Sequence, residues 1–182
     1  NLNRQIAHDN NQIGIDKANS LAAACSRLNP NILIIPKVKK LDSSSSIKDF
    51  DLIFDCSDNP ETKYILNLLS HNYNKILISG SAVQMEGQLS IWKSGVDKIY
   101  PCYECVFPKT IDKAPTTNCR DAGIIGSITG LIASMQVTEG IKEMALKKYS
   151  STAGYLFLYD GINQSLDKIK LIKNIDCPVC KN

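Results

Sequence analysis

From Asp51 to Ser81 the chain reads DLIFDCSDNPETKYILNLLSHNYNKILISGS, and the rhythm of this stretch decides the fold. Asp51–Cys56 is a short apolar run of the kind that forms a buried strand. Ser57-Asp58-Asn59-Pro60 ends it, and Pro60 suits the first turn of a helix running from Glu61 to about Tyr73. Ile76-Leu77-Ile78 is strand-like again and is closed by Ser79-Gly80-Ser81. Strand, helix, strand is a βαβ unit, which makes the two strands parallel and lays the helix on the sheet. The expected class is α/β, a Rossmann-like sheet with helices on both faces.

Upstream, Ala18, Leu21, Ala22, Cys25 and Leu28 fall at the three-and-four spacing of an amphipathic helix over Ile15–Leu28, which Asn29-Pro30 stops. Ile32–Val38 is β-branched and reads as a further strand, followed by a serine-rich loop over Leu41–Ser46. Downstream the pattern changes. Gln88–Trp92 alternates polar and apolar like an antiparallel strand, and a long loop follows from Lys93 to Arg120. Asp121 to about Leu146 reads as one long helix, and Tyr155–Asp160 with Ser165–Ile172 as a closing antiparallel pair. No repeat or linker interrupts the chain, so residues 1–182 are expected to form a single domain.

The 182 residues are 43% hydrophobic and 21% charged, enough apolar mass for a core and too much charge for a membrane protein. The net charge of +3 comes without a clustered basic run, and one Trp with four Phe offers little surface for stacking bases. Neither nucleic acid nor membrane is therefore an expected partner. Asn1-Leu2-Asn3-Arg4-Gln5 has no apolar signal core, so a reducing compartment is the expectation.

Seven cysteines carry the strongest chemical signal. Cys102-x-x-Cys105 and Cys177-x-x-Cys180 are matched pairs, and two such knuckles can close four thiolates around one tetrahedral zinc. Four protein ligands leave no open position, which makes such a zinc structural; two redox dithiols are the alternative. Cys119, next to Arg120 and ahead of the expected long helix, sits where a helix terminus and a cation favour thiolate; otherwise it is a plain loop cysteine. Cys25 and Cys56 are expected to be buried on a helix face and a core strand. Asp58 and Asn59 lie beyond the end of a parallel strand, where open α/β sheets bind ligands, or they cap the following helix. Arg4 and Lys17 are either phosphate ligands or solvated surface charges. His8 and His71 have no partner spacing and receive no role.

Together these segments resemble the ATP-dependent activators of ubiquitin-like proteins, the HesA/MoeB/ThiF adenylyltransferase family, with the molybdopterin-synthase branch nearest and the thiazole-synthesis branch beside it. The matching stretches run from Asn1-Leu2-Asn3-Arg4-Gln5 through Gly14-Ile15-Asp16-Lys17, Asp55-Cys56-Ser57-Asp58-Asn59 and Ser79-Gly80-Ser81-Ala82 to Met85-Glu86-Gly87-Gln88. Pro101-Cys102-Tyr103-Glu104-Cys105, Cys119-Arg120-Asp121-Ala122-Gly123, Glu139-Gly140-Ile141-Lys142, Tyr159-Asp160 and Cys177-Pro178-Val179-Cys180 complete the series. The resemblance implies Mg-ATP as substrate and adenylation of the C-terminal glycine of a small β-grasp sulfur-carrier protein. Pyrophosphate is released, and the acyl-adenylate is then open to sulfur transfer.

It further implies that Arg4 and Lys17 hold the triphosphate, that Asp58 binds magnesium, and that Asn1, Leu2, Asn3 and Asn59 complete the nucleotide contacts. Cys119 matches a cysteine that bonds covalently to the carrier in some relatives. A homodimer is implied, in a bacterial-type cytoplasm or a plastid stroma. Family members begin with a strand and a glycine-rich phosphate loop, so an N-terminally incomplete chain, with the first βαβ strands missing, is expected. The competing expectations are the same chemistry on the thiazole carrier, or a non-catalytic zinc-stapled module that docks a β-grasp protein. A nicotinamide-dependent dehydrogenase shares the βαβ pattern but explains neither cysteine pair.

Overall fold

The computed structural model describes residues 1–109, 123–146 and 152–181. They fall into two compact units, Asn1–Leu41 and Asp42–Asn182. The first holds a single turn of 3-10 helix, Asn10–Gln12, and helix α1, Lys17–Leu28. Asp9 caps the short turn reciprocally: its carboxylate accepts from Asn11 N–H while Gln12 Oε1 accepts from Asp9 N–H. The buried positions of α1 are Ser20 and Ala24, whereas Leu21 and Leu28 are exposed. Ala18, Ala22 and Cys25 of the expected apolar stripe are half-buried, so the packed face is offset from that stripe toward Ser20 and Ala24. Ser20 is buried instead because its hydroxyl lies 2.7 Å from Gln12 Oε1 and 2.6 Å from His8 Nδ1, a polar cluster that seats the helix.

The strand expected over Ile32–Val38 is not formed. Leu33 is 84% and Ile35 68% exposed, and among the described residues no strand pairs with this segment. β-branched composition favours extended backbone, but a strand exists only where a neighbour completes its hydrogen-bond ladder.

The second unit is built on one five-stranded sheet in the order β1-β2-β3-β4-β5: Leu52–Asp55, Ile76–Val83, Glu86–Trp92, Tyr155–Asp160 and Ser165–Lys170. β1 and β2 are parallel, in register Leu52 to Ile76 and Asp55 to Ser79, and helix α2, Pro60–Asn72, makes the crossover. The other pairings are antiparallel. A short helix α3, Tyr103–Val106, opens the first cysteine knuckle, and α4, Gly126–Ile141, is followed by a π-helical turn over Lys142–Leu146.

Helices cover both faces. The positions a Cβ would take at Gly80 and Gly87 meet Ile132 of α4, so α4 lies on that side. Successive side chains alternate across a strand, and Ser79, next to Gly80, reaches Asp55 on the opposite side, where α2 supplies Lys63. Ile78, Leu89 and Ile91 form the core under α4, with Met135 and Phe157 packed on it. The helix expected from Asp121 starts at Gly126. Gly123 has φ +71, and at the β2–β3 hairpin Gln84 N–H donates to the Gly123 carbonyl while Ile125 N–H donates to the Gln84 carbonyl, which holds this approach extended.

Candidate functional site

The carboxyl end of β1 turns sharply into α2, and the turn is fixed by one buried carboxylate. Asp55, 1% exposed, accepts from Ser57 N–H at 2.9 Å and Ser57 Oγ at 2.6 Å on Oδ1. Its Oδ2 accepts from Lys63 Nζ at 2.8 Å and Ser79 Oγ at 2.9 Å. A buried ion pair is tolerable when its remaining lone pairs are satisfied, and here each oxygen has two donors. Gln136 of α4 clamps the same turn from the other face, donating Nε2 to the carbonyls of Asp55 (2.9 Å) and Ile78 (3.1 Å). Lys63 thus reaches back eight residues to close a loop that presents Asp58 and Asn59.

Those two residues divide the tasks that the sequence left open. Asn59 is the N-cap of α2, its Oδ1 accepting from Glu61 N–H at 2.8 Å, with Pro60 at the first helical position. Asp58 is exposed and, among the described residues, its carboxylate has no hydrogen-bond or ionic partner. It is therefore available to a ligand at the place where parallel strands end. Cys56 lies outside the four residues of β1 and is exposed, not buried in a core strand as expected. Its sulfur turns inward toward Gln136 Oε1 at 3.7 Å; desolvation there, and then Asp55, push this thiol up, against the opposing effects of Gln136 and Lys63. Cys25 is half-buried. Further along, a cleft of about 470 Å³ opens beside the β2–β3 hairpin, lined by Ser81, Glu86, Gln88, Leu158, Asp160 and Asp167.

The four paired cysteines converge. Cys102 Sγ lies 3.5 Å from Cys177 Sγ and 3.9 Å from Cys105 Sγ, Cys105 Sγ lies 3.3 Å from Cys180 Sγ, and all four sulfurs are within 4.8 Å of one another. Tetrahedral metal–sulfur bonds of about 2.3 Å require sulfur–sulfur edges of about 3.8 Å, so the donor set fits one metal ion. No pair is at disulfide distance. Burial, the largest influence, pushes Cys102 and Cys180 up, the latter to about 12. Burial also raises Cys177, but the backbone N–H groups of Cys180 and Val179, then the Cys102 and Cys105 thiols, outweigh it and hold Cys177 low. Asn67 of α2, buried beside the knuckle, donates Nδ2 to Cys102 Sγ at 3.6 Å.

Arg4 lies in the first unit, where its guanidinium is held by Asn3 Oδ1 at 2.9 Å and Asn1 Oδ1 at 2.6 Å. The Asn-Leu-Asn-Arg run is thus a preformed arginine platform on which Leu2 is exposed. Lys17 opens α1, whose N-cap residue Asp16 makes no side-chain cap, after Gly14 at φ +90. Cys119 falls outside the described residues; the long helix invoked to activate it begins at Gly126. Sequence reasoning missed Lys63, Asn67 and Gln136. Their one visible signal was polarity inside otherwise apolar helical stretches.

A mixed α/β sheet with helices on both faces, whose first crossover begins at a carboxylate with no partner among the described residues and which carries a cluster of four cysteines, is a scaffold of the Rossmann-like class. The chain belongs to the ThiF family, whose model matches residues 1–179. It is 38% identical to the adenylyltransferase and sulfurtransferase MOCS3 of Caenorhabditis briggsae over 99% of this chain and 45% of that protein. With the MOCS3 protein of Xenopus laevis the identity is 35%, covering 100% and 40%. The chain spans less than half the length of these relatives. Among solved structures, Escherichia coli MccB with succinimide superposes at TM-score 0.81 and 18% identity, covering 100% of this chain and 55% of that one. PaaA superposes at TM-score 0.72 and 12% identity, covering 94% and 60%. These superpositions bear on the fold.

Proposed function

We propose that the protein binds Mg-ATP and adenylates the C-terminal glycine of a small β-grasp sulfur-carrier protein, the molybdopterin-synthase small subunit type being the preferred substrate. The observation that carries this reading is Asp58: exposed, without a partner among the described residues, and relieved of capping by Asn59. Family membership and the relatives' name, adenylyltransferase and sulfurtransferase, support it. In the reaction a carboxylate oxygen of the carrier attacks the α-phosphorus, the bond to the bridging oxygen breaks, and pyrophosphate leaves. Magnesium on the nucleotide supplies charge neutralisation, and Asp58 is the carboxylate assigned to hold it. Arg4 and Lys17 are assigned to the triphosphate, where fixed cations stabilise developing charge. Asn1, Leu2, Asn3 and Asn59 are assigned to the nucleotide.

Cys102, Cys105, Cys177 and Cys180 are assigned to one structural zinc, since thiolates in a closed tetrahedral set suit that ion. Cys119 is the proposed covalent site of the sulfur-transfer step: its thiolate, or the outer sulfur of a persulfide loaded there by a persulfide donor, attacks the carbonyl of the carrier's acyl-adenylate, and AMP leaves as the acyl–sulfur bond forms. Residues 1–182 are read as one ThiF-type domain, acting as a homodimer in a reducing compartment of the bacterial or plastid kind. The test is ATP–pyrophosphate exchange in the presence of a β-grasp carrier. In a protein completed with the glycine-rich phosphate-loop segment, exchange by the parent and none by a folded Asp58→Ala variant is the expected result. A parent that binds the carrier but never exchanges pyrophosphate would leave the docking-module reading.

A further inference from the structure

Helix α2 brings an amide against the first cysteine knuckle in an orientation that the backbone dictates. Tyr103 N–H donates to Asn67 Oδ1 at 2.9 Å, so the oxygen must face α3. The nitrogen then has one direction left, and Nδ2 points at Cys102 Sγ, 3.6 Å away. Asn67 is 1% exposed and Cys102 0%, so water cannot solvate this sulfur. Among the described residues, the other hydrogen-bonding neighbours of Cys102 Sγ are the sulfurs of Cys105 and Cys177, which share the same need. A buried thiolate ligand depends on outer donors to hold its charge and direction.

From this geometry we infer that Asn67 is the positioning residue of the four-cysteine metal site, donating to the Cys102 thiolate while its carbonyl locks the knuckle to α2. The inference rests on the zinc reading made above and adds a residue that the CxxC spacing does not contain. Asparagine is specific to the task. Aspartate has nearly the same shape and still accepts from Tyr103 N–H, but turns an anionic oxygen toward the sulfur. A residue that only seats Tyr103 can be aspartate; a residue that supports a thiolate cannot.

The test is release of Zn2+ from the full chain, loaded with one equivalent and challenged with a chromophoric chelator. Circular dichroism and Trp92 fluorescence check the fold, since the Trp92 ring sits edge-on to Tyr103 at 5.7 Å. N67D is expected to release Zn2+ at least about 10-fold faster than the parent while folded, the range typical of lost outer-shell support. Release within about two-fold of the parent would overturn the inference, leaving Asn67 as a seat for Tyr103 alone. If N67D does not fold, N67A decides: about 10-fold faster release supports the role, and parental release overturns it. A parent chain that takes up no stoichiometric Zn2+ overturns the metal assignment itself, a result distinct from a tight parent with an equally tight N67D.

Discussion

Two neighbouring residues at the β1–α2 turn carry opposite burdens, and single substitutions should separate them. Asn59→Ala removes a cap and is expected to cost about 0.5–2 kcal/mol, and with its assigned nucleotide contact gone it should raise the ATP concentration needed for exchange without abolishing exchange. Asp58→Ala touches no contact among the described residues, so stability should stay within about 0.5 kcal/mol of the parent while adenylation is lost. Chemical denaturation beside the exchange assay reads both. Lys63→Met strands the buried Asp55 carboxylate and should cost about 3–5 kcal/mol in the same denaturation measurement. His71 is different. Burial, then Lys173 and Lys98, pull it below its ordinary 6.5. The unfolded chain therefore binds this proton more readily, so the stability His71 contributes is complete above about pH 6.5 and declines as pH falls through its folded pKa. His71→Gln should flatten the melting temperature between about pH 5 and 7; an unchanged slope would assign that dependence to other groups. Asp58 was legible from its place after a strand, but Lys63 and Asn67 were not, since their partners lie eight and thirty-five or more residues away in the chain.

At the scale of elements, the βαβ unit and the closing strands were readable because their apolar runs are dense and their breaks are sharp. Tyr155–Asp160 is the strand its sequence announces. Ile32–Val38 is also mostly apolar and forms no strand, because pairing is settled by neighbours, not by propensity. Helix α1 fails in a related way: its period was correct, but which side is buried depends on the Gln12–Ser20–His8 cluster. The approach of α4 to the sheet was hidden as well. Gly80 leaves room for Gln136, and a methyl there would collide with Gln136 Oε1 and stand 2.9 Å from Ile132 Cγ2. Gly80→Ala is expected to cost about 1–3 kcal/mol and to loosen the Gln136 clamp on the Asp55 turn. A melting temperature equal to the parent's would show that α4 can shift without penalty.

Over the whole molecule, the cysteine knuckles join a loop after β3 to the last described residues, and α2 connects them to the Asp58 turn through Lys63 and Asn67, one helical turn apart. Stripping the metal should expose Cys102, Cys105, Cys177 and Cys180 to alkylation and lower the melting temperature, because metal binding and folding are linked. Labelling of all four sulfurs at equal rates with and without chelator would refute a metal-held cluster. The family was visible because motifs across the chain agree in order, whereas the ligand geometry needed the fold. The most direct measurement is carrier-dependent exchange of radiolabelled pyrophosphate into ATP by the parent and by Asp58→Ala, each shown to be folded. With both proteins completed by the glycine-rich phosphate-loop segment, the adenylation account predicts exchange by the parent alone; equal exchange by both would contradict the role of Asp58, and exchange by neither would contradict the activity.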